Sequence, residues 1–395
     1  MNKKRRKDYS MKIPILLKKW SWMTYMFLCR YTRSRKKKTV YFASFRGQYS
    51  DNPRAISECL HLMAPDVKIV WMVKPQFRKY VPDYVTAVPS KLRLSLKAQA
   101  RASVWVLNYV YRRNSGIYKS SSQFYIQTWH GDRGLKKIGY ANELGRSKKG
   151  DSYNGYLMSD CNLFLAASDY GVMKAHKGLR YEGEVMTVGM PRNDKLTNLQ
   201  AYNGEIAEIR KRLGVEEDTN ILLYAPTYRE AGDDFQCQID IDQTVANLEV
   251  NGEKWACLIR SHSLTKHLNV KLGDTMSRDV SDYPDMADLL LVADLLITDY
   301  SSCAGDFLLT GKPVVLAHLD KESYQSKNRR LWVDAEKAGY LVARNQQELN
   351  EIMKKIDSYD HKHINEKVLQ FYGTKETGHA SEAVAARILQ ELKKN

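Results

Sequence analysis

The chain has 395 residues, 43% of them hydrophobic and 27% charged. That is enough apolar material for one large core or two ordinary ones, and too much for a disordered or fibrous protein. The formal charge of +17 is uneven: residues 1–38 hold 14 Lys or Arg against the single Asp8, and the rest of the chain carries a net of only +4. A near-neutral body argues against a nucleic-acid binder. The six cysteines are far apart and form no C-x-x-C pair, which fits reduced thiols in a cytosolic setting rather than a zinc site or a disulfide framework.

Between the basic clusters Lys3–Lys7 and Arg33–Lys38 lies the apolar run Ile13–Cys29, broken by Pro14, Lys18 and Lys19. It is too short and too charged to span a bilayer comfortably, and no small-residue cleavage site follows it. Wound as a helix it puts Leu16, Trp20, Met23 and Phe27 on one face. Basic ends and a one-sided apolar stripe predict an arm, residues 1–38, that lies on an anionic membrane surface. The competing reading is a solvated tail whose apolar part packs on the body.

From Thr39 onward, β-branched and aromatic runs alternate with helical patterns, the signature of a doubly wound α/β fold. Strands are expected at Val40–Phe45, Lys68–Val73, Val104–Asn108, Phe124–Thr128, Leu163–Ala167 and Val185–Val188, with helices such as Ala55–Met63 and Ser90–Ala102 between them. A second set is expected at Ile221–Ala225, Trp255–Arg260, Leu295–Thr298, Pro313–Ala317 and Tyr340–Val342. Between the sets stands the turn-forming stretch Gly189-Met190-Pro191-Arg192-Asn193-Asp194, which places a boundary between a domain at 39–188 and one at 189–395. The second domain would end in a helix over His379–Lys394, with Ala383, Ala386, Ile388, Leu389 and Leu392 for packing.

Two Rossmann-like domains would set strand ends and helix N-termini across a cleft from each other, a natural seat for a phosphate-bearing ligand. At one strand end stands Gln127-Thr128-Trp129-His130-Gly131-Asp132, followed by Arg133, Lys136 and Lys137. A His beside Gly and cations suits a general base acting next to phosphate, although a strand-end His is often only a structural hydrogen bonder. Arg260-Ser261-His262-Ser263 repeats the cation and His pair in the second half. Thr298-Asp299-Tyr300-Ser301-Ser302 leads into a helix expected at Cys303–Thr310, an anion cradle or an ordinary N-cap. Tyr224-Ala225-Pro226-Thr227-Tyr228-Arg229 adds a hydroxyl and an Arg for a second phosphate. The triplet Asp240-Ile241-Asp242 and the pair His361 and His363 are weak metal signals, and the usual P-loop, dinucleotide and nucleophile-elbow fingerprints are absent. No metal and no cofactor are expected.

In order, these motifs resemble the CDP-glycerol glycerophosphotransferase family, the teichoic-acid primases and polymerases of Gram-positive cell walls. The matching residues are Thr128-Trp129-His130-Gly131 with Leu135-Lys136-Lys137, Gly189 through Asp194, Tyr224 through Arg229, Arg260-Ser261-His262, and Tyr283-Pro284-Asp285 through Ser302. The resemblance implies a GT-B-like architecture, a CDP-alditol donor held mainly by the second domain, a lipid-linked polymer acceptor, and peripheral attachment to the cytoplasmic face of the membrane. It implies His130 and His262 as catalytic residues, with Thr227, Arg229, Ser301 and Ser302 on the diphosphate. Arg260, Asp299 and Lys136 join them as expected substrate contacts. Asp132-Arg133, Ser263 and Ala304-Gly305-Asp306 depart from the family pattern, where acceptor and alditol are expected to lie. The expected reaction moves glycerol phosphate, or a related alditol phosphate, to an acceptor hydroxyl with release of CMP. A GT-B glycosyltransferase using a nucleotide sugar and a non-catalytic basic membrane or nucleic-acid binding protein are the alternatives.

Overall fold

Short runs dense in Val, Ile, Leu, Phe and Trp, apolar on both faces, require covering on both sides, and parallel sheets supply it. The computed structural model describes residues 20–30, 38–45, 47–90, 92–109, 118–142, 158–227, 229, 235–236, 239–261, 268–269 and 276–394. Its first sheet comprises β1 (Thr39–Ala43), β2 (Lys68–Val73), β3 (Thr86–Pro89), β4 (Val104–Leu107), β5 (Phe124–Gln127), β6 (Leu163–Ala166) and β7 (Glu184–Thr187). All pair in parallel, in the order β3-β2-β1-β4-β5-β6-β7.

The second sheet is built from β8 (Thr219–Ala225), β10 (Lys254–Ile259), β12 (Ser277–Asp279), β13 (Leu295–Thr298), β14 (Val314–Ala317) and β15 (Leu341–Ala343), again parallel, in the order β12-β10-β8-β13-β14-β15. A separate pair joins β9 (Phe235–Gln236) to β11 (Leu268–Asn269). Strand order reverses between β1 and β4 in the first sheet and between β8 and β13 in the second. Those are the places where a doubly wound fold opens a crevice at the strand carboxyl ends.

Helices cover the first sheet on both faces. The helix α1 (residues 20–30) and α3 (Leu92–Arg101) pack Met26, Cys29, Leu96 and Ala100 against Tyr41, Ala43 and Trp105. On the other face α2 (Asp51–Met63) sets Ile56 and Leu60 against Val40, Phe42 and Trp71. The same core receives Val384, Ala385, Ile388 and Leu392 of α8 (Ala380–Lys393), so the last helix of the chain returns to the first sheet. In the second sheet α5 (Ile241–Leu248) packs Val245 and Leu248 on one face, and α6 (Met286–Val292) packs Leu289 and Leu291 on the other. Two further helices matter for the site: α4 (Asp169–Leu179) and the short α7 (Cys303–Phe307).

The central strands fall where the apolar runs predict them. The strands β3 and β12 were not expected, because they are edges with partly exposed faces and lack an unbroken apolar run. Three other differences have physical reasons. The expected helix over Cys303–Thr310 tightens after Phe307 into a 3₁₀ turn, Leu308–Thr310. The last helix buries Val384 and Ala385 in place of Ala383 and Ala386, because it meets the first sheet and α2 rather than the neighbouring second sheet. Gly189 to Asp194 is no exposed linker: Pro191, Arg192 and Asn193 are buried in a 3₁₀ helix, Pro191–Leu196.

Candidate active site

The turn that leaves β5 carries His130, and the fold holds it in an unusual backbone conformation. Trp129 has a left-handed φ of 52°, which a side-chain-bearing residue adopts only under constraint. Two more residues with this geometry stand nearby, Phe45 at φ 39° and Asp51 at φ 64°. Phe45 follows β1 and Asp51 opens α2, so all three lie at carboxyl ends beside the β1/β4 reversal. The Phe45 ring meets the His130 ring edge-on at 5.3 Å, and the Trp129 ring stacks on it at 4.9 Å.

The imidazole is oriented by the Asn108 carbonyl, 2.8 Å from Nδ1. A carbonyl only accepts, so Nδ1 carries the proton and Nε2 keeps its lone pair. Burial pushes the imidazole below its ordinary value, with Arg192 and Lys174 acting in the same direction against Asp51 and the Asn108 carbonyl. His130 is therefore neutral at physiological pH and has an unprotonated nitrogen to offer.

The second sheet approaches the same turn. Ser302 Oγ donates to the His130 carbonyl at 3.3 Å, and a Cβ added at Gly134 would stand 3.0 Å from Ser302 Cβ, tighter than ordinary van der Waals contact, so glycine there eases this approach. Ser301 Oγ accepts the Cys303 amide at 3.4 Å, and the Ser302 side chain makes no cap to α7. His130, Ser301 and Ser302, drawn from opposite halves of the chain, form one locus.

Around it the cations divide into two kinds. Lys136 makes no hydrogen bond or ion pair to the described residues; burial pushes its ammonium down to about 8, with Asp299 opposing and Arg329 and Arg229 reinforcing the fall. Lys174, reaching in from α4, gives its ammonium protons to the carbonyls of Gly131, Asp132 and Gly134 at 2.6, 3.1 and 3.1 Å, and burial takes it down to about 7. Arg260 bonds the Tyr283 carbonyl at 2.9 Å, has no carboxylate partner among the described residues, and is also lowered by burial. None of these three basic groups pairs with a carboxylate among the described residues.

Arg229 is different. Its guanidinium is 2.8 Å from both Asp299 and Asp320 and lies over the Tyr324 ring at 4.6 Å. The Asp299 carboxylate also accepts the Thr227 amide at 2.9 and 3.1 Å. Arg229 and Asp299 thus brace each other and the β8 and β13 loops. Thr227 Oγ1 is buried with no hydrogen-bond partner among the described residues. His262 and Tyr228 lie outside the described residues.

The residues expected on the acceptor side are buried instead. Asp132 accepts from the Ala167 amide at 2.9 Å and from the Ser168 hydroxyl. Arg133, 1% exposed, pairs with Asp306 at 3.0 Å and Glu376 at 2.8 Å, and Arg192 pairs with Asp306 at 2.7 Å and Asp51 at 2.9 Å. Asp132 is a structural tie within the first domain, to the turn after β6, and Arg133 and Asp306 tie the two halves together, a correction that follows from their burial. Asp240, from the weak metal triplet, caps α5 by accepting the Gln243 amide at 2.9 Å. Sequence reasoning passed over Asp51, Asn52 and Asn108 and read Arg192 only as part of a turn-forming, family-matching stretch; the turn-rich Asp51-Asn52-Pro53 at a helix start was the available signal.

Two Rossmann-like sheets with facing strand-end loops give the chain a GT-B-like architecture, with a strand-end His and cations unpaired among the described residues at its crevice. The chain belongs to the family described as CDP-glycerol:poly(glycerophosphate) glycerophosphotransferase, whose model matches residues 25–390. The teichoic acid glycerol-phosphate transferase of Staphylococcus aureus is 30% identical over 375 residues, covering 90% of this chain and 93% of that protein. The teichoic acid poly(glycerol phosphate) polymerase of Bacillus subtilis is 35% identical over 346 residues, and the match spans 83% of this chain but only 45% of the polymerase. Among solved structures, the wall teichoic acid polymerase TagF superposes with a TM-score of 0.83 at 26% identity, covering all of this chain and 98% of that one.

Proposed function

We propose that this chain transfers glycerol phosphate, or a related alditol phosphate, from CDP-glycerol to a hydroxyl of a lipid-linked acceptor in teichoic-acid-type polymer synthesis, releasing CMP. The carrying observation is the neutral His130, with Nδ1–H committed to Asn108 and Nε2 free of partners among the described residues, seated against the Ser301–Ser302 turn. Family membership supplies the substrate class.

In this reading the acceptor hydroxyl gives its proton to His130 Nε2 as its oxygen bonds the β-phosphorus. The bond from that phosphorus to the bridging oxygen breaks, and CMP leaves with the electron pair. Lys136 and Arg260 stabilise the charge gathering on the leaving phosphate, and the Thr227, Ser301 and Ser302 hydroxyls orient it. Basic groups held without an ion-pair partner among the described residues are prearranged for this and need little reorganisation. Arg229 and Asp299 act by bracing the loops that carry these groups. We assign His262 the second catalytic role beside the diphosphate, the donor to residues 189–395 and the acceptor to 39–188.

The same reading sets the chain peripherally on the cytoplasmic membrane face. Trp20, Phe27 and Leu28 of α1 are exposed at 64%, 49% and 51%, and Leu94 of the adjoining α3 at 46%. Arg93 and Lys97 are exposed on α3, and neither helix contains an acidic residue. An apolar ridge flanked by cations suits anionic lipid. Met26 and Cys29 are meanwhile buried in the body, so α1 both packs on the domain and presents an apolar face. Leu16 and the first basic cluster lie outside the described residues. Among the described residues no helix is long and apolar enough to cross a membrane.

The test is a donor screen. With a lipid-linked acceptor, CDP-glycerol or CDP-ribitol should yield CMP and an acceptor heavier by one alditol phosphate. Turnover of a nucleotide sugar, with neither CDP-alditol consumed, would establish the glycosyltransferase alternative.

A further inference from the structure

We propose that Asn52 is the positioning residue for His130, clamping the strained turn that presents the imidazole. This rests on the reading of His130 as the base. Asn52 is fully buried as the second residue of α2. Its Nδ2 donates to the carbonyls of both Thr128 and Trp129, at 3.2 and 3.1 Å, and its Oδ1 accepts the Arg192 amide at 3.1 Å. The neighbours dictate which amide atom is which, because two carbonyls need a donor and an N–H needs an acceptor.

The two carbonyls bracket Trp129, the residue at φ 52°. A left-handed residue with a large side chain reverts to ordinary backbone geometry unless its flanking peptides are pinned. Asn52 pins both, and Gln127 Oε1 holds the Trp129 amide at 2.9 Å. Beyond the clamp, the His130 carbonyl is held by Arg192 Nη2 at 3.1 Å and by Ser302. Without the carboxamide the Trp129 carbonyl keeps only the Thr128 hydroxyl, at 3.3 Å, and the Thr128 carbonyl loses its side-chain donor, so the 129–130 peptide is held less firmly and the imidazole drifts from the Asn108 carbonyl with Nε2 turned away. No other side chain among the described residues donates to both carbonyls. Asn52 also reads the Arg192 backbone of the segment leading to the second sheet, so one side chain registers the base against the donor half.

The test compares N52D, N52A, H130A and N52A/H130A in the full chain, measuring kcat and KM for CMP release, CDP-glycerol binding by calorimetry, and thermal unfolding. N52D is nearly isosteric and keeps the acceptor for the Arg192 amide but turns an oxygen toward the two carbonyls, whereas N52A removes the clamp without adding charge. The kcat values are therefore compared only for variants whose thermal unfolding shows them folded. N52D and N52A should each lose about 10- to 100-fold in kcat, the cost of a misplaced catalytic group, with donor affinity and KM within about threefold. The double variant should be no slower than H130A, because Asn52 acts through His130. A folded N52D with wild-type kcat, or a double variant slower than H130A by the full N52A factor, overturns the positioning role. H130A with wild-type turnover instead overturns the base assignment itself, whatever Asn52 does.

Discussion

Two sets of charges lie within one cleft and are treated in opposite ways. Arg133, Arg192, Asp306, Glu376 and Asp51 are buried and paired with one another, each guanidinium meeting two carboxylates. Lys136, Lys174 and Arg260 are held without a carboxylate partner among the described residues, and burial lowers all three. The difference separates architecture from function. A buried ion pair is costly to form and costlier to break, so it fixes how the two sheets sit. An uncompensated cation is tolerated where a ligand of opposite charge repays its desolvation.

The largest expected effect breaks the paired set. R133M leaves Asp306 and Glu376 short of a counter-ion and should cost about 3 to 5 kcal/mol of stability, read as a lowered melting temperature. The loss should be smaller in acid: Arg192 and Arg133 hold Asp306 below its ordinary value, so its stabilising contribution, present at neutral pH, fades as pH falls through that depressed value. A melting temperature unchanged by R133M would remove the network from the account.

Next comes the uncompensated set. K136M should weaken CDP-glycerol binding about tenfold or more, the worth of one charge-assisted contact, with little change in melting temperature; unaltered affinity would show that Lys136 does not meet the donor. A pH titration sharpens this. With Lys136 down at about 8, the free protein loses that positive charge as pH rises through this value, so donor affinity should decline above it and K136M should flatten the decline.

The smallest effect is at the surface. Replacing Trp20, Phe27 and Leu28 together by Ser should lower binding to anionic vesicles about fivefold while leaving turnover on a soluble acceptor analogue unchanged. Deleting residues 1–38 is a poorer experiment, because it also strips Met26 and Cys29 from the core beneath β1 and β4. Vesicle binding indifferent to the triple substitution would remove α1 as the anchor.

What was legible in the sequence follows from which interactions are local. Strands such as Leu163–Ala166 and Leu295–Thr298 announce themselves because burial on both faces leaves an unbroken apolar run. His130 was legible as a His at a strand end with Gly and Lys beside it. Asn52 was not, because its partners, Thr128, Trp129 and Arg192, are 76 to 140 residues away and only the folded chain brings them together. The same distance hid the fate of Arg229: beside Thr227 it reads as a phosphate ligand, and only the fold reveals Asp299 and Asp320 already on its guanidinium. Arg133 and Asp306 read as departures from the family pattern where acceptor and alditol are expected, since a charge near a catalytic motif says nothing of a partner 173 residues on.

The central claim is that His130 takes the acceptor proton while the donor is held by other groups. Its most direct test is H130A, followed in parallel by calorimetry with CDP-glycerol and by CMP release in the presence of a lipid-linked acceptor. The expected result is a folded protein that binds CDP-glycerol as the parent does and releases CMP at least about 100-fold more slowly. A folded H130A that releases CMP at the parent rate would contradict the mechanism.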